Sequence, residues 1–273
     1  MSRAPVYAAP MPTEIFDDFT REPFTAEGDT KNVYWQGAGP AVVIMTEMPG
    51  ITPDVAAFAR RVAEAGHTVA LPDLFGEAGR DVSNGYILTS LVKGCVSKEF
   101  VAFATEKTSP VASWMRALVG EAHERAGGDR GVGVVGMCFT GGFALALAVD
   151  PRVRVPVLSQ PSLPLPLGKK RQSDLGLSPA DLAVVAERAA NDEICAIGLR
   201  FSHDPMVREA RFERLRAELG DAFVGVEIDS SPGNAHGFGK QAHSVLTTEW
   251  RDEPGFPTSE AHDLVLDHFA RRL

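Results

Sequence analysis

The chain has 273 residues, 44% of them hydrophobic and 23% charged, an ordinary globular composition that leaves room for one large domain or two small ones around a sizeable core. Its net charge is −9 and it carries no basic run, so the electrostatic footprint of a nucleic-acid binder or of a protein drawn to anionic membranes is missing. Three cysteines, Cys95, Cys138 and Cys195, are odd in number, far apart and without CxxC spacing, which suggests neither a disulfide framework nor a zinc site.

The opening Met1-Ser-Arg-Ala-Pro-Val-Tyr-Ala-Ala-Pro-Met-Pro12 lacks the apolar core of a signal peptide, and no window reaches the ~18 apolar residues of a membrane span, so a cytoplasmic protein is expected. Residues 1 to 40 read as a Pro-rich lead-in packed on the domain, with Val33-Tyr-Trp-Gln-Gly37 as an edge strand. Ala41-Val-Val-Ile-Met45 is a continuous apolar run, the pattern of a strand covered on both faces of a parallel sheet. A helix is predicted over 53 to 65, opened by Thr52-Pro53 and closed by Gly66, and His67-Thr-Val-Ala-Leu-Pro72 is the next strand. Residues 76 to 107 form an irregular insertion, either a lid over a site or a structural excursion, and a helix at 110 to 126 follows.

Gly131-Val-Gly-Val-Val-Gly-Met-Cys-Phe-Thr-Gly-Gly142 reads as a buried β-branched strand that turns sharply at Cys138 and leaves as a small-residue helix from Gly141. This is the form of a nucleophile elbow, GxSxG rewritten as Gly136-Met-Cys-Phe-Thr140 with a thiol as nucleophile. A lone cysteine at such a corner is also often a small buried hydrophobe. The formal match Gly131-x-Gly133-x-x-Gly136 to a dinucleotide fingerprint fails in context: the strand lies inside it, and no acidic residue closes a βαβ unit about 20 residues on.

Beyond the elbow, strands are predicted at 153 to 158, 194 to 201 and 223 to 228, and helices at 179 to 190, 206 to 219 and from 258. Alternation of this kind predicts an α/β fold, a mostly parallel central sheet with helices on both faces, in one domain over residues 41 to 273. In such sheets functional groups gather past the carboxyl ends of the strands. There the sequence offers Ser202-His203-Asp204-Pro205 and Asp229-Ser-Ser-Pro-Gly-Asn-Ala-His236-Gly-Phe238, giving the order nucleophile, acid, histidine of an α/β-hydrolase triad.

Through Met45-Thr-Glu-Met-Pro-Gly50, Leu71-Pro-Asp-Leu-Phe75, Gly136-Met-Cys-Phe-Thr-Gly-Gly142, Phe201-Ser-His-Asp-Pro205 and Ala235-His-Gly-Phe238 the chain resembles the dienelactone hydrolase family of α/β-hydrolases, from about residue 40 to the C-terminus. The resemblance implies Cys138 as nucleophile, Asp204 as acid, His236 as base and Glu47 as the carboxylate near the resting thiol. It also implies an oxyanion hole from the backbone N–H groups of Phe139 and Met48. The expected reaction is cysteine-dependent hydrolysis of a small carboxylic ester or lactone through an acyl-cysteine, with no cofactor, metal, nucleic acid or membrane. Where dienelactone hydrolases carry a carboxylate-binding arginine, four residues past the histidine, this chain has Lys240, which keeps the charge and loses the bidentate fork.

The other histidines are expected to be structural, His203 as a loop residue and His243 near the start of a helix, and no HxxxH pair points to a metal. Two alternatives share the fold: a thioesterase or other acyl-transfer enzyme, and a catalytically weak binding or accessory protein.

Overall fold

The computed structural model describes residues 14–80, 110–163, 165 and 168–273. Among the described residues eight strands form one sheet in the order β1-β2-β4-β3-β5-β6-β7-β8. They are β1 (Thr20–Ala26), β2 (Asp29–Gln36), β3 (Ala41–Met45), β4 (Thr68–Pro72), β5 (Val132–Met137), β6 (Val153–Ser159), β7 (Ala196–Phe201) and β8 (Phe223–Ile228). From β4 through β3 to β8 every pairing is parallel, while β1 and β2 form an antiparallel hairpin whose second strand pairs with β4. The fold is thus the expected α/β class, with one addition. Residues 20 to 36 of the anticipated lead-in belong to the sheet, and the edge strand on that side is β1 rather than the Val33 segment.

The apolar runs explain the layers. Along β3, Val42 and Ile44 join one core cluster while Ala41, Val43 and Met45 join the other, because successive side chains of a strand point to opposite faces. One face is covered by α1 (Pro53–Glu64) and α7 (Pro257–Arg272), which bring Val55, Phe58, Val62, Val265 and Phe269. The other is covered by α2 (Pro110–Arg125), α3 (Gly141–Leu147), α5 (Pro179–Ala190) and α6 (Glu209–Leu219); α4 (Lys169–Gln172) is a single turn in the loop between β6 and α5. Helix starts follow local chemistry: the Thr52 hydroxyl accepts from the Val55 N–H and Pro53 opens α1, and Ser178 and Pro179 do the same for α5.

Of the anticipated insertion at 76 to 107, residues 81 to 107 lie outside the described residues. No helix among the described residues is long and apolar enough to cross a membrane.

Candidate active site

The carboxyl ends of β3, β5, β6 and β7 lie side by side in the sheet, and each is followed within three residues by a polar residue of interest. Glu47 and Met48 follow β3, Cys138 follows β5, Gln160 and Ser162 follow β6, and Asp204 follows β7.

Cys138 begins a single 3₁₀ turn, Cys138–Thr140, between β5 and α3, and its φ of 51° puts a non-glycine residue in the left-handed region. Such a conformation costs on the order of 1–3 kcal/mol and persists only where the surroundings enforce it. They do so here. The Thr140 hydroxyl accepts from the Met137 N–H at 2.9 Å and lies 3.0 Å from the Met45 carbonyl oxygen, tying the turn to the end of β3. Gly141 presses against Pro161, whose Cα would stand 2.5 Å from any Cβ placed there. The half-buried thiol has the Ser162 hydroxyl 3.4 Å from its sulfur, and the Ser162 N–H donates to the Cys138 carbonyl at 2.9 Å.

Asp204 is buried, and its carboxylate is fully engaged: Oδ1 accepts from the Met206 N–H at 2.8 Å, and Oδ2 lies 2.6 Å from Nδ1 of a histidine. That histidine is His243, not His236. His236 is exposed, with its ring 5.3 Å from Phe256 and 6.2 Å from Phe238. The reason is local. Asn234 Oδ1 accepts from the N–H groups of His236 and Phe238, its Nδ2 donates to the carbonyls of Ser231 and Phe238, and the resulting tight turn buries Phe238 between Phe201 and Phe256. The chain then runs on without a helix, so His243 arrives at Asp204 from an irregular stretch that was expected to be helical.

His243 has its Nδ1 on Asp204, and among the described residues its buried Nε2 has no hydrogen-bonding partner. Burial pushes the imidazole pKa down, but the hydrogen bond to Asp204 and the interactions with the Asp204 carboxylate and the Cys138 sulfur outweigh it, and the ring is held well above its ordinary value.

Glu47 is buried, and its oxygens are taken by Ser244 Oγ at 2.6 Å, Gln160 Nε2 at 3.1 Å and the Thr247 hydroxyl; the Cys138 sulfur is not among its hydrogen-bond partners. Phe139 is buried edge-on to Phe75, and Met48 is half-buried. Lys240 is exposed on the loop before His243. The offset that singled it out was counted from His236; counted from His243 the same offset falls on Thr247, which is buried on Glu47. His203 is an exposed loop residue whose ring nitrogen meets the Ser202 hydroxyl.

Five residues at this site were missed by sequence reasoning: His243, Ser244, Thr247, Gln160 and Ser162. A usable signal existed for the first. His243 stands in Ala242-His-Ser-Val-Leu246, a run of buriable residues, whereas His236 stands between Ala235 and Gly237 in a turn-forming stretch.

The model of the dienelactone hydrolase family matches residues 30–257. No curated protein matches the chain in sequence. Among solved structures the chain is similar to a Klebsiella pneumoniae protein proposed to be a dienelactone hydrolase, with a TM-score of 0.63 and 15% identity over 93% of this chain and 98% of the other. It is also similar to a dienelactone hydrolase-like promiscuous phosphotriesterase from metagenomic libraries (TM-score 0.62, 15% identity, 93% and 98% covered). A Pyrococcus furiosus esterase gives a TM-score of 0.56 at 15% identity, with 98% and 96% covered. At these identities the structural likeness establishes the shared fold.

Proposed function

Since the chain belongs to the dienelactone hydrolase family, a family of carboxylic ester hydrolases, we propose that it hydrolyses a small ester or lactone through an acyl-cysteine on Cys138, with His243 as the base and Asp204 as its orienting acid. One observation carries this reading: His243 Nδ1 is committed to Asp204 at 2.6 Å, which leaves Nε2 for the thiol at a left-handed strand-to-helix corner.

The steps follow from these groups. An ordinary thiol has a pKa of about 8.5 and is mostly protonated at neutral pH, so the site needs a proton acceptor. The raised affinity of His243 for a proton makes it one, and Asp204 holds the resulting imidazolium in place. The thiolate attacks the carbonyl carbon, forming an S–C bond and an oxyanion that the N–H groups of Phe139 and Met48 are positioned in sequence to receive. Each such donor is worth roughly 10²–10³ in rate. As the C–O bond to the leaving group breaks, His243 returns the proton to the departing alkoxide. Water then gives His243 a proton and adds to the acyl-cysteine, and the S–C bond breaks to release the acid and the thiolate. The Ser162 hydroxyl, 3.4 Å from the sulfur, is placed to donate to that thiolate.

The test is turnover of a panel of short chromogenic esters and one carboxylate-bearing lactone by wild type, Cys138→Ser, His243→Ala and His236→Ala. The first two variants should lose at least ~10³-fold in kcat/KM, as expected when one member of a nucleophile and base pair is removed. His236→Ala should stay within about tenfold of wild type, since it removes ring packing and no proton acceptor. Loss of activity in His236→Ala with retention in His243→Ala would reverse the assignment of the base.

A further inference from the structure

We infer that Glu47 and Gln160 form a clamp that positions the His243 imidazole, Glu47 through the Ser244 and Thr247 hydroxyls and Gln160 through the Val245 N–H, so that Glu47 is a positioning residue for the base and not a partner of the resting thiol. This deepens the hydrolase reading above and rests on it.

The need for such a device is plain from the chain. Between β8 and α7 no strand or helix holds residues 229 to 256, so the backbone ladder that fixes Cys138 and Asp204 at strand ends does nothing for His243. A base must be held within a few tenths of an ångström, because a 1 Å misplacement can cost ~10²-fold in rate. Something other than secondary structure has to supply that precision.

The polar atoms behind the site do so. A carboxylate is acceptor-only, so each group that meets Glu47 must donate to it. Ser244 Oγ donates to Oε2 at 2.6 Å, the Thr247 hydroxyl donates to Oε1, and Gln160 Nε2 donates to Oε2 at 3.1 Å. The last contact settles which way the Gln160 amide faces: its nitrogen is on Glu47, so its oxygen turns to the Val245 N–H at 3.3 Å and also accepts from the Ser159 hydroxyl. Gln160 itself is held in the left-handed region at φ 35°, with its N–H on the Leu199 carbonyl at 2.7 Å. Both side chains are buried. Their three targets, Ser244, Val245 and Thr247, follow His243 directly, and from the far side Arg61 Nη2 donates to the Leu246 carbonyl at 2.9 Å. The base is thereby referenced to β3 and β6, the strands on either side of the one that ends in the nucleophile.

Two readouts on the full chain test this, ester turnover and the pH profile of Cys138 alkylation by iodoacetamide, each taken where thermal melts show the variant folded. Ser244→Ala/Thr247→Val leaves Glu47 in place and removes only its hold on the loop. It should lower kcat by about 10- to 100-fold with KM within about twofold, and should slow alkylation at neutral pH as the thiol loses its base. Glu47→Gln should show the same pattern, combining it with the double variant should add little, and Thr247→Ser should restore the wild-type profile. The inference is overturned if Ser244→Ala/Thr247→Val keeps wild-type kcat and alkylation while Glu47→Gln loses both, which would place Glu47 on the thiol itself. Should Glu47→Gln not fold, the loop variants decide alone. Full turnover by Cys138→Ala would instead sink the acyl-cysteine reading, and the alkylation profiles of the other variants would still show whether the clamp holds His243 against the thiol.

Discussion

At the scale of single residues, His243 is where opposing electrostatic influences meet. Burial favours the neutral ring; the Asp204 carboxylate and the Cys138 sulfur favour the imidazolium and prevail. The ring should therefore remain protonated well above the ordinary histidine pKa of about 6.5. In Asp204→Asn both the charge and part of the hydrogen bond that raise the value are gone while the burial stays, so the midpoint must fall. Following the His243 ring signals by NMR through a pH titration of wild type and Asp204→Asn reads this directly; a midpoint unchanged or raised by the substitution would show that Asp204 does not stabilise the imidazolium. Cys138 and Asp204, the proposed nucleophile and acid, stood out in the sequence because one lies directly after, and the other three residues after, a strand whose apolar run fixes its register. The base did not. The stretch from 229 to 256 has no periodicity to read, and which histidine turns inward is decided by the Asn234 turn and by the burial of Phe238, neither of which a spacing rule contains.

At the scale of elements, the strand, turn and helix around Cys138 depend on one hydroxyl. Thr140 Oγ1 accepts from the Met137 N–H and reaches the Met45 carbonyl, so it closes the turn and fastens it to β3. Thr140→Val keeps the shape and leaves a buried N–H and a buried carbonyl without that partner, which should cost ~1–3 kcal/mol per group left unsatisfied. Thr140→Ser, retaining the hydroxyl, should cost much less. Urea unfolding of the pair measures the difference, and a valine variant as stable as wild type would mean that the turn is held by packing alone. This element was the most legible in the chain because glycines and β-branched residues do distinct jobs at fixed spacing. The β1 strand, Thr20–Ala26, was invisible for the complementary reason: its residues are half-exposed or exposed, it holds a proline, and it carries no apolar run. Its place is set by pairing with β2, a partner that a strand-by-strand reading does not see.

At the scale of the whole molecule, the β1–β2 hairpin finishes the sheet on the side away from β8. Val33 and Trp35 of β2 enter one core cluster and Tyr34 the other, so β2 is integral to both layers. By contrast β1 is a cover, with Arg21, Glu22 and Pro23 along its length and Phe24 packed edge-on to Trp114. Charges and a proline on an outer strand are how sheets discourage edge-to-edge association. A chain starting at Asp29 should keep the strands that carry Cys138, Glu47, Gln160 and Asp204, since β1 touches none of them in the sheet order. It should instead expose the outer N–H and C=O groups of β2 beside an aromatic surface. Turnover per folded molecule should stay within about threefold of the full chain, because the reacting groups are unmoved, while light scattering after gel filtration should show larger species than the full chain forms at the same concentration. If the shortened protein elutes as the full chain does and melts at the same temperature, β1 protects nothing. If turnover collapses while the sheet persists, the hairpin reaches the site by a route that the strand order does not contain.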